Sequence, residues 1–120
     1  MHFTKLVPEL YYSDINSALE TFVERLEFTV VFDDIKSENP YCVVSKDGLT
    51  VLLIQNKEYA EKFNPLLRLV TNNIEEVYEK IASKYPEMLH PNLTTIILRS
   101  WGAKEFAVLD DQIGIVFQQW

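Results

Sequence analysis

The sequence predicts an α+β fold of two tandem β-α-β-β-β modules, which form a cupped mixed sheet with one helix per module on its outer face. Three observations support this. Two amphipathic helical patterns recur at a fixed spacing, and strand-like runs flank each of them. The composition is also globular, with 48% apolar and 24% charged residues in a chain of 120. Half-chains of this size bury little core alone, so residues 1–120 are expected to form one domain.

Apolar residues at positions i, i+3, i+4, i+7, i+8 and i+11 predict one helix in each module. Every member of the second set lies 59 residues after its counterpart in the first. Asp14 and Asn73 precede the two sets and are predicted to be N-caps, since their short side chains can accept a hydrogen bond from the first turn. The first set is Ile15, Ala18, Leu19, Phe22, Val23 and Leu26, and the second is Ile74, Val77, Tyr78, Ile81, Ala82 and Tyr85.

The first module covers about residues 5–55. The turn Lys46-Asp47-Gly48 indicates a hairpin between its last two strands. Residues 56–63 are predicted to link the modules, with room for one helical turn. The predicted strands are Lys5–Ser13, Phe28–Asp33, Tyr41–Lys46 and Leu49–Gln55.

The second module covers about residues 64–120. Pro86 is expected to end its helix, because proline cannot continue the hydrogen-bond ladder. The offset between the modules is larger in the last strands, where aligning Gln55 with Gln118 makes it 63. The predicted strands are Asn64–Asn72, Asn92–Arg99, Lys104–Leu109 and Gln112–Gln119.

Composition excludes several classes of function. The net charge is −7, which argues against a nucleic-acid partner and mildly favours a cationic one. Cys42 is the single cysteine, so no internal disulfide can form, and its apolar neighbours predict a buried thiol. The sequence has no signal-peptide pattern and no long apolar run, so we expect a cytoplasmic protein without a membrane partner.

Motifs at both ends of the chain carry a family resemblance. The segment Ser100–Gln118 contains Trp101-Gly102, Lys104-Glu105-Phe106 and Asp110 in order, and the segment Ser13–Phe28 carries a looser opening pattern. Together with the internal repeat, these motifs resemble the vicinal oxygen chelate superfamily, which includes glyoxalase I, extradiol dioxygenases, fosfomycin-resistance enzymes and bleomycin-resistance proteins. Two positions depart from the pattern, since Glu27 and Asp111 stand where the family has glycine and proline.

The resemblance also indicates where a metal would bind. Superfamily enzymes hold a divalent cation with His or Gln on the first strand of each module and Glu on the last. The matching positions here are Val7, Leu66, Ile54 and Phe117, give or take one residue on the last strands. These side chains supply no oxygen or nitrogen donor, so we expect no metal, no cofactor and no catalytic residue. The alternative is a metal-dependent, glyoxalase-like lyase or isomerase.

Strand alternation adds charged and aromatic candidates for ligand contact. If Val7 faces the cup, Glu9 and Tyr11 do as well, and Arg68 lies at the position equivalent to Glu9. Glu9 and Arg68 either form an ion pair across the cup floor or contact a polar ligand. A register error of one residue would turn both outward.

Trp101 is the strongest candidate for ligand contact. In the metal-free bleomycin-resistance proteins that the chain resembles, the tryptophan of the Trp-Gly motif lines the ligand groove, although a role in the core or at a dimer contact is the alternative. Tyr41 and Phe32 rank below it, and Phe117 completes the set. The resemblance thus implies a metal-free homodimer that binds a small cationic or aromatic compound such as a bleomycin-like antibiotic. A structural dimer without a ligand is the remaining reading.

Overall fold

Each half of the chain forms its own four-stranded mixed sheet in the computed structural model, which describes all residues from Met1 to Trp120. The chain divides into two units, Met1–Phe63 and Asn64–Trp120, called here the first and second modules. Both modules have the predicted β-α-β-β-β order, so the α+β fold of tandem modules is confirmed. No helix in either module is long and apolar enough to cross a membrane.

In the first module the strand order is β1-β4-β3-β2, with β1 parallel to β4 and the other pairs antiparallel. The helix after β1 begins as α-helix and continues as a π-helical segment, Glu20–Arg25. Residues 56–63, the predicted link, contain a second short helix. The elements are β1 (Glu9–Tyr12), α1 (Ile15–Leu19), β2 (Thr29–Asp33), β3 (Tyr41–Lys46), β4 (Leu49–Gln55) and α2 (Lys57–Lys62).

The second module repeats this order as β5-β8-β7-β6, again with one parallel pair, β5 and β8. Its helix ends at Lys84, directly before the 3₁₀ turn Pro86–Met88, as the proline predicts. The predicted strand Asn92–Arg99 shrinks to two residues, because the chain before it is occupied by turns. The elements are β5 (Leu66–Val70), α3 (Ile74–Lys84), β6 (Ile97–Leu98), β7 (Lys104–Leu109) and β8 (Gly114–Gln119).

The pairing register corrects the predicted offset of the last strands. Glu9 pairs with Leu52, and its repeat equivalent Arg68 pairs with Val116, so the last strands are offset by 64 residues. The third strands share this offset, since Val43 and Ala107 pair with Leu52 and Val116, so the additional residue lies before β7. Since strand side chains alternate between faces, this one residue exchanges the two faces of β8 relative to the prediction.

One face of each sheet packs on its helix. In the first module Phe22 of the helical segment contacts the ring of Phe28 at a centroid distance of 5.4 Å, and both are buried. In the second module Tyr78 of α3 contacts Phe106, which stacks on Phe117 at 4.8 Å. The opposite face of each sheet, turned away from its helix, is called here the open face.

The helices begin with a repeated capping arrangement. Asp14 accepts a hydrogen bond from the Asn16 backbone N–H, as predicted. Asn73 occupies the N-cap position, but its side chain caps no backbone N–H and instead donates to Glu76. A glutamine at the end of the last strand helps in each module, because the side chains of Gln55 and Gln119 accept from the N–H groups of Ile15 and Ile74 respectively.

Glu27 occupies a position where the superfamily pattern has glycine. Its φ is +64°, in the left-handed region where a side chain is strained. The predicted hairpin at Lys46-Asp47-Gly48 also has positive φ at Asp47 and Gly48, which suits a tight two-residue turn between twisted strands.

Candidate functional site

The open face of the second module combines apolar residues with a central charged cluster. By strand alternation Leu66 and Val70 of β5 lie on this face beside Arg68, and their side chains are exposed. Val116 pairs with both Arg68 and Ala107 on the neighbouring strands, and the two apolar residues are buried. The open face is therefore largely apolar around the charged side chain of Arg68.

Glu105 lies at the centre of this cluster and is 2% exposed. Its carboxylate accepts hydrogen bonds from Arg99 Nε at 2.8 Å, from Arg68 Nη1 at 3.1 Å and from the Gln118 side-chain amide. A carboxylate loses its hydration when it is buried, and several hydrogen-bond partners in the protein are needed to offset that free-energy cost. The two guanidinium groups are thereby held on either side of one carboxylate.

Burial and the neighbouring groups shift the pKa of Glu105 in opposite directions. Burial raises the pKa, but the hydrogen bonds from Arg99 and Gln118 and the charges of Arg99 and Arg68 outweigh burial, so the pKa is lowered from its ordinary value. Glu105 is therefore a carboxylate at neutral pH. In the sequence Glu105 belongs to the Lys104-Glu105-Phe106 motif, and no site role is predicted for it.

Trp101 lies on a tight turn after β6 and is 57% exposed. The turn is closed by hydrogen bonds from the Gly102 N–H to Arg99 and from the Arg99 N–H to Ala103. Gly102 has a φ of +99°, which a side chain would strain, so the Trp-Gly sequence suits this turn. The Arg99 guanidinium carbon lies 5.7 Å from the centroid of the Trp101 ring, within cation–π range.

The sequence predicts Phe117 on the open face, but in the structure it lies on the opposite face. It is 4% exposed and stacks on Phe106 on the side of the sheet that carries α3. The offset of 64 puts Gln118 on the open face instead, where it pairs with Glu105. Gln118 lies within the one-residue range of the predicted position, and the last strand of this module presents an amide there.

The open face of the first module carries a cluster of aromatic side chains with one carboxylate. The Tyr11 hydroxyl donates to Glu9 at 2.8 Å, and this hydrogen bond raises the pKa of Tyr11. The Tyr11 ring lies 5.1 Å from that of Tyr59, in α2, and 6.0 Å from that of Phe63, just beyond the end of α2. The i, i+4 spacing of Tyr59 and Phe63 could have indicated this pair in the sequence.

Phe32 and Tyr41 also lie together, with ring centroids 5.8 Å apart. Tyr41 pairs with Ile54, so it shares the open face with Tyr11, which pairs with the same residue from the other side. Phe32 is exposed on the edge strand β2, next to an irregularity in the register at Val31. Glu9, Tyr11, Tyr41 and Phe32 are thus brought to one module's surface.

Arg68, Trp101, Glu105 and Gln118 form the corresponding group in the second module. The partners of Glu9 and Arg68 described above lie within their own modules. The predicted ion pair between Glu9 and Arg68 would join the two modules, and it stays a prediction.

Comparison with known proteins identifies the fold. No protein-family model and no curated protein sequence matches the chain. A bleomycin-binding protein complexed with bleomycin matches 98% of this chain and 99% of its own, with 20% identity and a TM-score of 0.73. The bleomycin-binding protein of Streptomyces verticillus, complexed with copper(II)-bleomycin, matches 98% and 96%, with 18% identity and a TM-score of 0.72.

A member of the glyoxalase/bleomycin resistance protein/dioxygenase superfamily from Sphaerobacter thermophilus matches 98% of both chains, with 17% identity and a TM-score of 0.72. The chain has the bleomycin-resistance fold. The fold implied by the resemblance to the vicinal oxygen chelate superfamily is thereby confirmed.

In this chain the bleomycin-resistance fold presents few donors for a metal ion. No group of three or more His, Cys, Asp or Glu side chains is close enough together to hold one. Val7, Leu66 and Ile54 supply no donor atom. Gln118 supplies an amide, but the guanidinium groups of Arg68 and Arg99 flank its partner Glu105 and would repel a cation. The open faces therefore do not fit the metal centre of the superfamily's enzymes.

The surroundings of Cys42 and His90 do not indicate a reactive site. Cys42 is fully buried, and burial together with the charge of Asp33 raises the pKa of its thiol to about 11. Such a thiol is a poor nucleophile at neutral pH. His90 lines a surface cavity of about 290 Å³ with Asp110 and Asp111, but Asp110 accepts hydrogen bonds from two backbone N–H groups of its own turn.

Proposed function

We propose that this protein binds and sequesters a small aromatic compound, such as a bleomycin-like antibiotic, without a metal ion. The observation that carries the proposal is the exposed ring of Trp101, held on a structured turn beside the Arg99 guanidinium group. An aromatic ring fixed in this way offers stacking to a flat ligand at little cost in conformational entropy. Sequestration needs only this affinity and no chemical step.

The comparisons support the proposal at the level of fold. Two structures that share the fold over nearly the whole chain are bleomycin-binding proteins in complex with bleomycin or copper(II)-bleomycin. A fold hosts many functions, so the argument for binding rests on the side chains present in this chain. Absence of a suitable donor set on either open face disfavours the metal-dependent alternative.

A positive charge on the ligand would have a place in the first module. Glu9 is exposed on the open face and accepts a hydrogen bond from Tyr11, whose ring contacts Tyr59 and Phe63. A carboxylate beside aromatic rings attracts organic cations by charge and by the negative faces of the rings. The net charge of −7 acts in the same direction over longer distances.

We further propose that the protein is a homodimer. Large apolar side chains are exposed on edge strands in both modules, among them Val31 and Phe32 on β2 and Leu66 and Val70 on β5. Exposed apolar strand edges of this kind are usually covered by a partner. Analytical ultracentrifugation should give twice the mass of the chain, and a monomer at micromolar concentration would contradict the dimer.

A fluorescence titration tests the binding function. In the variant Trp120→Phe, Trp101 is the only tryptophan, so its emission reports on the proposed site alone. We expect bleomycin to change this emission saturably, with a stoichiometry of one per chain. The matched variant Trp101→Phe, which keeps Trp120, should show little change, and an unresponsive Trp101 would overturn the proposal.

A further inference from the structure

The charged cluster of the second module contains more positive than negative charge. Arg68 and Arg99 both hydrogen-bond to Glu105, so two guanidinium groups share one carboxylate. The third partner, Gln118, is neutral. The cluster thus carries one surplus positive charge on a mainly apolar face, in a chain whose net charge is −7.

The two arginines retain hydrogen-bonding capacity. Arg68 uses Nη1 and Arg99 uses Nε for Glu105, and their other guanidinium nitrogens have no hydrogen-bond partner in the chain. The side chains are 51% and 33% exposed, so these nitrogens can be reached from solvent. A guanidinium group offers five N–H donors in a planar fork that suits carboxylates and phosphates.

Glu105 positions both arginines. It is 2% exposed, and its carboxylate is fixed by Gln118 on the neighbouring strand, so the groups that bind it are restrained. Restraint before binding lowers the entropy lost when a ligand is captured. Arg99 also lies over the Trp101 ring at 5.7 Å, which places a stacking surface next to the anion-binding donors.

We propose that this cluster binds the acidic group of an aromatic acid, with the ring of the ligand stacked on Trp101. The anionic group takes the free donors of Arg68 and Arg99, and its charge offsets the surplus positive charge. This inference rests on the proposed function, because it takes Trp101 as the aromatic binding surface. The second module then prefers an anionic ligand, whereas the net charge of the chain favours a cationic one.

Three probes with one ring system test the charge preference. They are naphthalene-2-carboxylate, the neutral naphthalene-2-carboxamide and the cationic 2-naphthylmethylammonium ion, titrated at pH 7 into the full-length isotope-labelled protein. The signals followed are the indole N–H of Trp101 and the Nε–H groups of Arg68 and Arg99. We expect the carboxylate to bind about tenfold more tightly than the amide, as charge-assisted hydrogen bonds allow, and the ammonium to bind most weakly.

Two variants separate the local site from the overall charge. Arg68→Gln should weaken the carboxylate about tenfold and leave the amide unchanged, while Glu105 keeps Arg99 and Gln118 as partners. Lys36→Gln removes the same charge from an exposed loop of the first module and should change neither affinity.

The outcomes separate this inference from the proposed function. Equal affinity for carboxylate and amide, or tightest binding of the ammonium, would overturn the anion site while a shifting Trp101 signal still supports aromatic binding. Loss of carboxylate affinity in Lys36→Gln equal to that in Arg68→Gln would also overturn the site. No shift with any of the three probes would overturn both proposals.

Discussion

Glu105 shows what single residues decide in this protein. It is a buried carboxylate in a strand whose other buried residues are apolar, and it is stable there because two arginines and one glutamine satisfy it. The sequence predicted Arg68 as a site residue from strand alternation alone. It did not indicate Glu105, since a charged residue between Lys104 and Phe106 is equally typical of a solvent-facing strand position.

The lowered pKa of Glu105 makes stability depend on pH. The folded protein holds this carboxylate charged below its ordinary value of 4.5, so in that range the unfolded chain binds more protons. The contribution of Glu105 to the free energy of unfolding is therefore complete above about pH 4.5 and is lost as the pH falls through the lowered pKa of the folded state.

Urea unfolding of wild type and Glu105→Gln between pH 7 and pH 3 measures this contribution. At pH 7 the variant should lose about 2 kcal/mol, because two partly exposed guanidinium groups lose their counter-charge. The difference should narrow below pH 4.5. A difference that stays constant to pH 3 would show that Glu105 is not held as a carboxylate by the arginines. Glu79→Gln, at an exposed position on α3, controls for the loss of one acidic side chain.

At the scale of elements, periodicity predicted most of the structure. The strands Tyr41–Lys46, Leu49–Gln55 and Lys104–Leu109 have the predicted bounds, and both helices begin at the predicted residues. The register of β8 could not be predicted, because one additional residue in the chain between α3 and β7 leaves the apolar pattern of the strand compatible with two registers. That ambiguity exchanged Phe117 with Gln118 and changed which side chain reaches the open face.

The helix starts allow a direct comparison of capping residues. Gln119 accepts the Ile74 N–H at 2.8 Å, whereas the side chain of Asn73 caps no backbone N–H. Gln119→Met should therefore lower the free energy of unfolding by about 1 kcal/mol, as expected for a lost cap. Asn73→Ala should cost only a few tenths of a kcal/mol, since it removes one exposed side-chain hydrogen bond.

Thermal or urea unfolding of the two variants gives the comparison. Asp14→Ala serves as the reference in the first module, because Asp14 does cap a backbone N–H. A larger loss for Asn73→Ala than for Gln119→Met would show that the helix start of the second module depends on Asn73 after all.

At the scale of the whole molecule, the repeat explains what the two modules share and where they differ. Both have the same strand order, the same parallel pair and a glutamine that caps the helix from the last strand. Their open faces differ in chemistry, with Glu9 among aromatic rings in one and the Arg68–Glu105–Arg99 cluster with Trp101 in the other. The modules therefore share their backbone arrangement and differ in the side chains of their open faces.

We propose that this protein binds its ligand through aromatic and polar side chains, without a metal ion. Calorimetric titration of bleomycin into the wild-type protein, with EDTA present, tests it most directly. We expect a saturable heat with one bleomycin per chain, and an affinity at least about tenfold lower for Trp101→Ala, as the loss of a stacking aromatic residue predicts. Binding that appears only after a divalent metal is restored, or that is unchanged in Trp101→Ala, would contradict the claim.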